Sequence, residues 1–327
     1  VAVKRMASIS HDGNRTIVEI NSSSLAQIMD CHRQAHYSLN LKINRGAEAP
    51  ALTAGSATHK VMEVWYSSPQ QARNYITPEC MDSQHAFKSG RTNNSVTHGR
   101  CARCSAIYAG IQAGFALRHL EETEARSLPN LVDIWNSYFD YWLLKGDPWE
   151  ILTDKDGPMI ERQLEAVYFE DDDLTIKLFG TIDAVLMNIT TGQTVICDHK
   201  TTKSIGKDFM NRHRPNFQYT IYTWLAREVL GIDTPYFMIN AIQVAKLKRD
   251  FKRIDSTRNE TDFKELKLSL LHHTRSWIAS NEAKLYPQST PNACSMWGGC
   301  RFREICESDE DIRGAIIAAN YERGDHA

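Results

Sequence analysis

With 327 residues, 42% of them hydrophobic and 24% charged, the chain has the composition of a globular protein large enough for one elaborated domain or two. A formal net charge of −2 excludes a global basic signature, so any nucleic-acid contact must come from local basic patches. No apolar run is long enough to span a bilayer and no secretory pattern opens the sequence. With eight cysteines present, this predicts a cytoplasmic, reducing setting in which clustered cysteines bind metal rather than form disulfides.

Residues 1–20 read as a short β or irregular lead-in. Ser22-Ser23-Ser24 is expected to cap a helix, Ser24 and Gln27 having capping-box spacing, with Leu25, Ile28 and Met29 as its apolar stripe. Cys31 closes that helix and is followed by His32, Arg33, His36 and Tyr37. Thr53–Tyr66 is predicted as a second helix that buries Val61, Val64 and Trp65 and carries Gly55 and His59 on one face. A polar, irregular stretch over 67–99 contains Cys80, His85 and His98, and Cys101-x-x-Cys104 opens an Ala-rich helical run. Without a second CxxC this is half a zinc motif, and it is read as structural rather than as a second metal site. Residues 130–144 form an amphipathic helix whose aromatics belong to the core.

From Met159 the pattern turns to β. One strand, the acidic turn Asp171-Asp172-Asp173 and a second strand lead to Asp183, with Glu161 and Glu165 as candidate further carboxylates. Runs of Ile, Val and Leu then flank Asn188–Gly192, the composition of a hairpin and its turn. Centring the turn on Thr190-Thr191 sets Asp183 opposite Asp198, with Cβ atoms about 5 Å apart. Side chains alternate along a strand, so Lys200 shares a side with Asp198. Two carboxylates and an ammonium thus converge among Ile182, Ala184, Val195 and Ile196. Charges rising from buried strands cost stability. Adjacent carboxylates repel unless a cation separates them, and such oxygen donors suit Mg²⁺ or Mn²⁺.

Lys203, Lys207, Arg212, His213 and Arg214 form a basic loop ending at Pro215, which is placed in the first turn of a helix that stops at Gly231. Gln218 and Tyr222 share a face of that helix. Residues 235–245 read as a buried strand, KLKRDFKR over 246–253 as a second basic patch, either a solvated strand edge or, the reading preferred beside a phosphodiester site, one that tracks a nucleic-acid backbone, and 256–283 as a long helix. Cys294, Cys300 and Cys306 follow as C-x5-C-x5-C. With Cys31 they make the four thiolates of a 4Fe–4S cluster, the alternative being a four-cysteine zinc site.

The ordered set G-x-I-D (Gly180–Asp183), D-x-K (Asp198–Lys200) and Q-x-x-x-Y (Gln218–Tyr222), with G-x-x-x-H (Gly55–His59) before it, resembles the PD-(D/E)XK nuclease superfamily. It is most similar to the RecB-like branch, which includes AddB-type helicase-nucleases and CRISPR-associated adaptation nucleases. One cysteine before the core and three after it resemble the iron–sulfur members, although Cys294 and Cys300 are more widely spaced than the usual first pair. The resemblance implies an α/β fold in which a restriction-endonuclease-like core, a mixed central sheet flanked by helices, spans 159–255. Residues 1–158 would be a helical region supplying Cys31 and His59, and 256–327 a C-terminal helix and cysteine-cluster lobe. It assigns catalysis to Asp183, Asp198, Lys200, Gln218 and Tyr222. His59, Asp183, Asp198 and the His199 carbonyl are the implied ligands of Mg²⁺ or Mn²⁺, and Cys31, Cys294, Cys300 and Cys306 those of the 4Fe–4S cluster. The implied function is metal-dependent DNA cleavage, as an exonuclease or end-processing enzyme on single-stranded or unwound DNA in recombination, repair or replication. No GxxxxGK[ST] P-loop is present, so unwinding is left to a partner such as a helicase, with a single-strand-binding protein as a second candidate. The other readings are a catalytically silent DNA-binding or scaffold subunit and a sequence-specific endonuclease.

Overall fold

The computed structural model describes residues 6–44, 50–68, 73, 102–121, 124–295 and 299–323. Cys80, His85, His98 and Cys101 lie outside these residues. In chain order the principal elements are β1 (Ser8–Asp12), β2 (Arg15–Ile20), α1 (Ser22–Asp30), α2 (Pro50–Ser67), α3 (Ala102–Ala113), α4 (Leu128–Lys145) and β3 (Trp149–Ile151). They continue with β4 (Ile160–Glu170), β5 (Leu174–Asn188), β6 (Thr194–Thr202), α5 (Phe217–Leu230), β7 (Tyr236–Gln243), β8 (Phe251–Thr257) and α6 (Glu260–Ala283).

Local chemistry sets several boundaries differently from expectation. α1 is capped by Asn21, whose Oδ1 accepts the Ser24 N–H at 2.8 Å, so Ser24 lies inside the first turn. A capping side chain must precede the first helical residue, and Asn21 does. α5 begins at Phe217 behind its own cap, Asn216, which leaves Pro215 ahead of the helix in a cis peptide bond with Arg214. α6 opens with a reciprocal capping box between Asn259 and Asp262.

Among the described residues β5 is the spine of an eight-stranded mixed sheet. β4 and then β3 pair antiparallel along one edge of β5. Along its other edge β2 runs parallel and β6 antiparallel, after which β7 joins β6 in parallel and β8 completes the sheet. The lead-in is therefore a β1–β2 hairpin attached to the central sheet. Inward residues alternate between two cores. Ala184, Leu186, Cys197 and Met238 pack with Trp65 and Trp135 of α2 and α4. Val185, Ile196, Phe237 and Ile239 pack with Leu25 of α1, Leu225 of α5 and Leu270 of α6. The result is a helix–sheet–helix α/β fold. No helix among the described residues is long and apolar enough to cross a membrane.

The β5–β6 hairpin has the predicted register. Ala184 pairs with Cys197, Val185 with Ile196, Leu186 with Val195 and Met187 with Thr194. Asn188 Oδ1 accepts the N–H groups of Thr190 and Thr191, and Gly192 takes the left-handed φ of +73° that the turn requires. The ladder ends one position short of Asp183 and Asp198. On the same edge of β5 the ladder to β2 stops at Leu178. Between these points β2 and β6 part, and the split opens a cleft at Asp183.

A third, small core joins the two ends of the described chain. Tyr37 and Ile43 pack against Phe302, Ile305 and Tyr321, with Cys300 and Cys306 at its margin. Ile43–Asn44 pairs there with Glu322–Arg323.

Candidate active site

The cleft has a volume of about 1560 Å³. His59 reaches it from α2, Glu161 from β4, Asp183 from β5, Asp198 and Lys200 from β6, and Gln218 and Tyr222 from α5. The candidate catalytic and metal-binding side chains named from the sequence therefore converge. The side chain of His199 turns to the opposite face of β6, stacking on Tyr66 with its Nδ1 2.9 Å from Asn240 Nδ2. Only its backbone faces the carboxylates: the His199 N–H donates to Asp183 Oδ2 at 2.7 Å.

Asp183 Oδ2 also lies 3.3 Å from His59 Nδ1, which is 3.7 Å from Glu161 Oε1. Ligating atoms of His59, Glu161 and Asp183 all fall within 4.8 Å of one another, a spacing that one divalent ion can span. Glu161 arrives there by two devices. Its neighbours Ile160 and Arg162 pair with Ala184 and Ile182, which sets it across from Asp183. Its backbone adopts φ +47°, a left-handed conformation that a glutamate enters at a cost.

Asp198 is almost fully buried. The Lys200 ammonium lies 3.0 Å from its Oδ1 and 2.8 Å from its Oδ2, and Gln218 Nε2 donates to Oδ1 at 3.3 Å. Gln218 Nε2 is also 3.4 Å from the Tyr222 hydroxyl. Gly180 explains the glycine of G-x-I-D: a Cβ at this position would come within 2.8 Å of Tyr222 Cε1.

The charges are mutually adjusted. Burial, reinforced by Asp183, holds the Asp198 carboxyl up at about 6 although Lys200 pulls it down. Burial and the nearby Glu161 likewise raise Asp183, against His59 and Lys200. At His59 burial acts downward, but Asp183, the Glu161 hydrogen bond and Asp198 outweigh it and push the imidazole up to about 9. Burial also opposes the charge on Lys200, and Asp198 with Asp183 overcomes it, so its pKa lies above the ordinary lysine value. Carboxylates raised by burial and by neighbouring negative charge, beside an imidazole held protonated, mark a site short of positive charge. The oxygen-rich donor set fits Mg²⁺ or Mn²⁺.

One wall of the cleft carries Lys203, Lys207 and Arg212, part of the predicted basic loop. The rest of that loop turns away. His213 is buried against the Tyr219 hydroxyl at 3.1 Å, and Arg214 approaches Asp262 at 3.5 Å. The 246–253 patch is not a continuous basic stripe. Arg253 is buried in an ion pair with Asp147 at 2.7 Å, and Arg249 donates to Ala245 O and to Asn130 Oδ1.

Cys31, at the end of α1, is brought to the three late cysteines. Cys300 has Cys294 and Cys31 among its charge neighbours, and Cys306 has Cys300, Cys31 and Cys294. None of the four is in a disulfide.

A family model of the PD-(D/E)XK nuclease superfamily matches residues 19–307. The chain belongs to this superfamily. Membership in the PD-(D/E)XK nucleases implies a metal-dependent, phosphodiester-cleaving nuclease with DNA as substrate, and the mixed sheet is its restriction-endonuclease-like core. No curated protein matches this PD-(D/E)XK chain. Among solved structures it is similar to the crystal structure of SSO0001, with 15% identity over 55% of this chain and 71% of that one. The TM-score of 0.28 is too low for that likeness to bear on the site.

Glu161, named from the sequence with Glu165 as a candidate further carboxylate, is the one placed beside His59 and Asp183. Its sequence signal is a carboxylate on the strand preceding Asp183, the better placed of the two by the family resemblance. Its cross-strand register and positive φ are properties of the fold.

Proposed function

We propose that the chain is a Mg²⁺- or Mn²⁺-dependent deoxyribonuclease of the RecB-like branch, an exonuclease or end-processing enzyme for single-stranded or unwound DNA in recombination, repair or replication. The observation that carries this reading is the convergence of His59, Glu161 and Asp183 beside the Asp198–Lys200 pair. His59, Glu161, Asp183 and Asp198, with the His199 carbonyl, are the proposed ligands. A divalent ion held there would supply a water of lowered pKa and positive charge toward the phosphate. Lys200 remains an ammonium, so it serves as a hydrogen-bond donor that orients the nucleophile and stabilises charge building on the phosphate, and not as a base. Gln218 holds the Asp198 carboxylate through Nε2, and with Tyr222 it positions the strand. Lys203, Lys207 and Arg212 offer cations to the DNA backbone.

The four cysteines are read as a 4Fe–4S site, with structural zinc as the alternative. Phosphodiester hydrolysis moves no electrons, so the group acts as a staple between chain ends whose closure is otherwise opposed by loop entropy. In this division 1–158 supplies His59 and Cys31, 159–255 the catalytic strands and 256–327 the remaining cysteines. A helicase or single-strand-binding protein would present unwound DNA, in a cytoplasmic, reducing setting that keeps the thiols available. The test is digestion of end-labelled single- and double-stranded DNA with Mg²⁺, Mn²⁺ or EDTA. Metal-dependent shortening of the single strand is expected, and no cleavage under any metal would refute the reading.

A further inference from the structure

A chain of buried polar groups runs beneath the cleft and ends at His199. Asn240 is the register partner of His199 on β7 and is completely buried. Its Nδ2 lies 2.9 Å from His199 Nδ1 and donates to the Tyr138 hydroxyl at 2.8 Å. The Tyr138 and Tyr66 hydroxyls are 3.3 Å apart, and Arg253 Nη2 donates to Tyr66 at 3.0 Å. Arg253 is fixed in turn by two contacts with Asp147, at 2.7 and 2.8 Å.

Apolar side chains of similar size would fill this space at lower cost, because buried polar groups and ion pairs lose their hydration. Asn240 Oδ1 and His199 Nε2 even lack partners among the described residues. What the network holds is specific. The His199 ring lies between two residues of α2, stacked on Tyr66 at 5.6 Å and 14° and edge-on to His59 at 6.0 Å. Tyr66 and His59 stand two turns apart on one face of the helix. The same residue's backbone N–H carries the hydrogen bond to Asp183 Oδ2. His199 therefore couples the helix that supplies one candidate ligand to the carboxylate that supplies another, and Asn240 sets the angle of its ring.

We infer that Asn240 is a positioning residue of the metal site, acting through His199 to fix the spacing of His59 and Asp183. The inference rests on the cleft being a divalent-cation site. Residues that orient metal ligands from behind typically contribute about 10- to 100-fold to metal affinity or activity.

The test is calorimetric titration of Mn²⁺ into the full chain, with thermal melting in parallel. Asn240→Leu is expected to weaken Mn²⁺ binding about tenfold, and Tyr138→Phe, which releases one of the two Asn240 contacts at almost constant volume, to weaken it by a smaller factor. Ile239→Val, a neighbouring core truncation, should lower the melting temperature without changing Mn²⁺ affinity. Unchanged Mn²⁺ affinity in folded Tyr138→Phe and Asn240→Leu would overturn the inference. Should Asn240→Leu fail to fold, Tyr138→Phe alone decides. Wild-type chain that binds no Mn²⁺ overturns the inference together with the site it serves. Wild-type chain that binds Mn²⁺ yet cleaves no DNA counts against the nuclease reading alone, and the affinity comparison still decides the role of Asn240.

Discussion

The carboxylate cleft and the cysteine lobe are built in opposite ways. In the cleft every candidate ligand stands on a long element with its own core contacts, and hydrogen bonds already fix Asp183 and Asp198. The cysteines come from chain segments hundreds of positions apart, joined by a small core, a two-residue strand pairing and side-chain contacts such as His32 with Ser280, Arg33 with Tyr286 O and Arg301 with Asn44. Preorganised ligands bind an ion without the ion having to fold them, whereas ligands gathered from distant segments need the bound group to offset loop closure. The two sites should therefore respond differently to the same treatment. EDTA should stop catalysis and leave the fold, and loss of the cysteine-bound group should loosen the fold and leave the chemistry.

The largest expected effect lies in the cleft. Asp198→Ala or Lys200→Ala should lower the single-turnover cleavage rate by at least about 100- to 1000-fold while DNA affinity stays close to wild type. Asp198→Asn, which keeps the packing and an oxygen acceptor for the Lys200 ammonium, should lower the rate comparably with little change in melting temperature. A variant that lost folding and activity together would erase the contrast between the regions.

The next effect lies in the lobe. Cys31→Ala, Cys294→Ala, Cys300→Ala and Cys306→Ala should each abolish the iron absorbance of anaerobically purified protein. Each should also lower the melting temperature, by about 2–4 °C for every kcal/mol lost. Cleavage per folded molecule at low temperature should persist. Cys104→Ala and Cys197→Ala should keep the colour. Stoichiometric zinc without iron would replace the cluster and keep the staple.

A smaller effect separates the sites by pH. His59 is protonated below about 9 in the metal-free protein, and only the neutral ring can ligate. Apparent Mn²⁺ affinity should therefore rise about tenfold per pH unit from pH 7 toward 9, and His59→Gln should flatten that slope. The stability linkage has the other sign. A folded-state pKa of about 9 against the ordinary 6.5 gives stability to the metal-free protein that is full below 6.5 and lost as pH rises through 9. An equally steep pH dependence in His59→Gln would remove His59 from the shell.

The smallest expected change belongs to the basic wall. Lys207→Ala should weaken single-strand binding only a few-fold and reduce the slope of log affinity against log salt by roughly 0.7. No change in slope would place the DNA path elsewhere in the cleft.

Much of the cleft was legible because its information is local. Alternation and turn composition set the register of β5 against β6, and helical spacing put Gln218 beside Tyr222. What escaped depends on partners distant in sequence. Arg249 and Arg253 read as a DNA-tracking patch because Asn130 and Asp147, which bind them, lie more than a hundred positions away. Asn240 was hidden in a strand recognised only as buried. Glu161 needed a cross-strand neighbour and a backbone angle, and neither is written in its own segment. The capping box expected at Ser24 and Gln27 lies three residues beyond the observed cap, Asn21, because three serines competed with it for the same role.

The most direct measurement is an anomalous difference map from a crystal of the full chain soaked with Mn²⁺. A peak within bonding distance of His59 Nδ1, Glu161 Oε1 and an Asp183 carboxylate oxygen is predicted. A map with no peak in the cleft at saturating Mn²⁺, or with manganese bound only elsewhere, would contradict the assignment of this site.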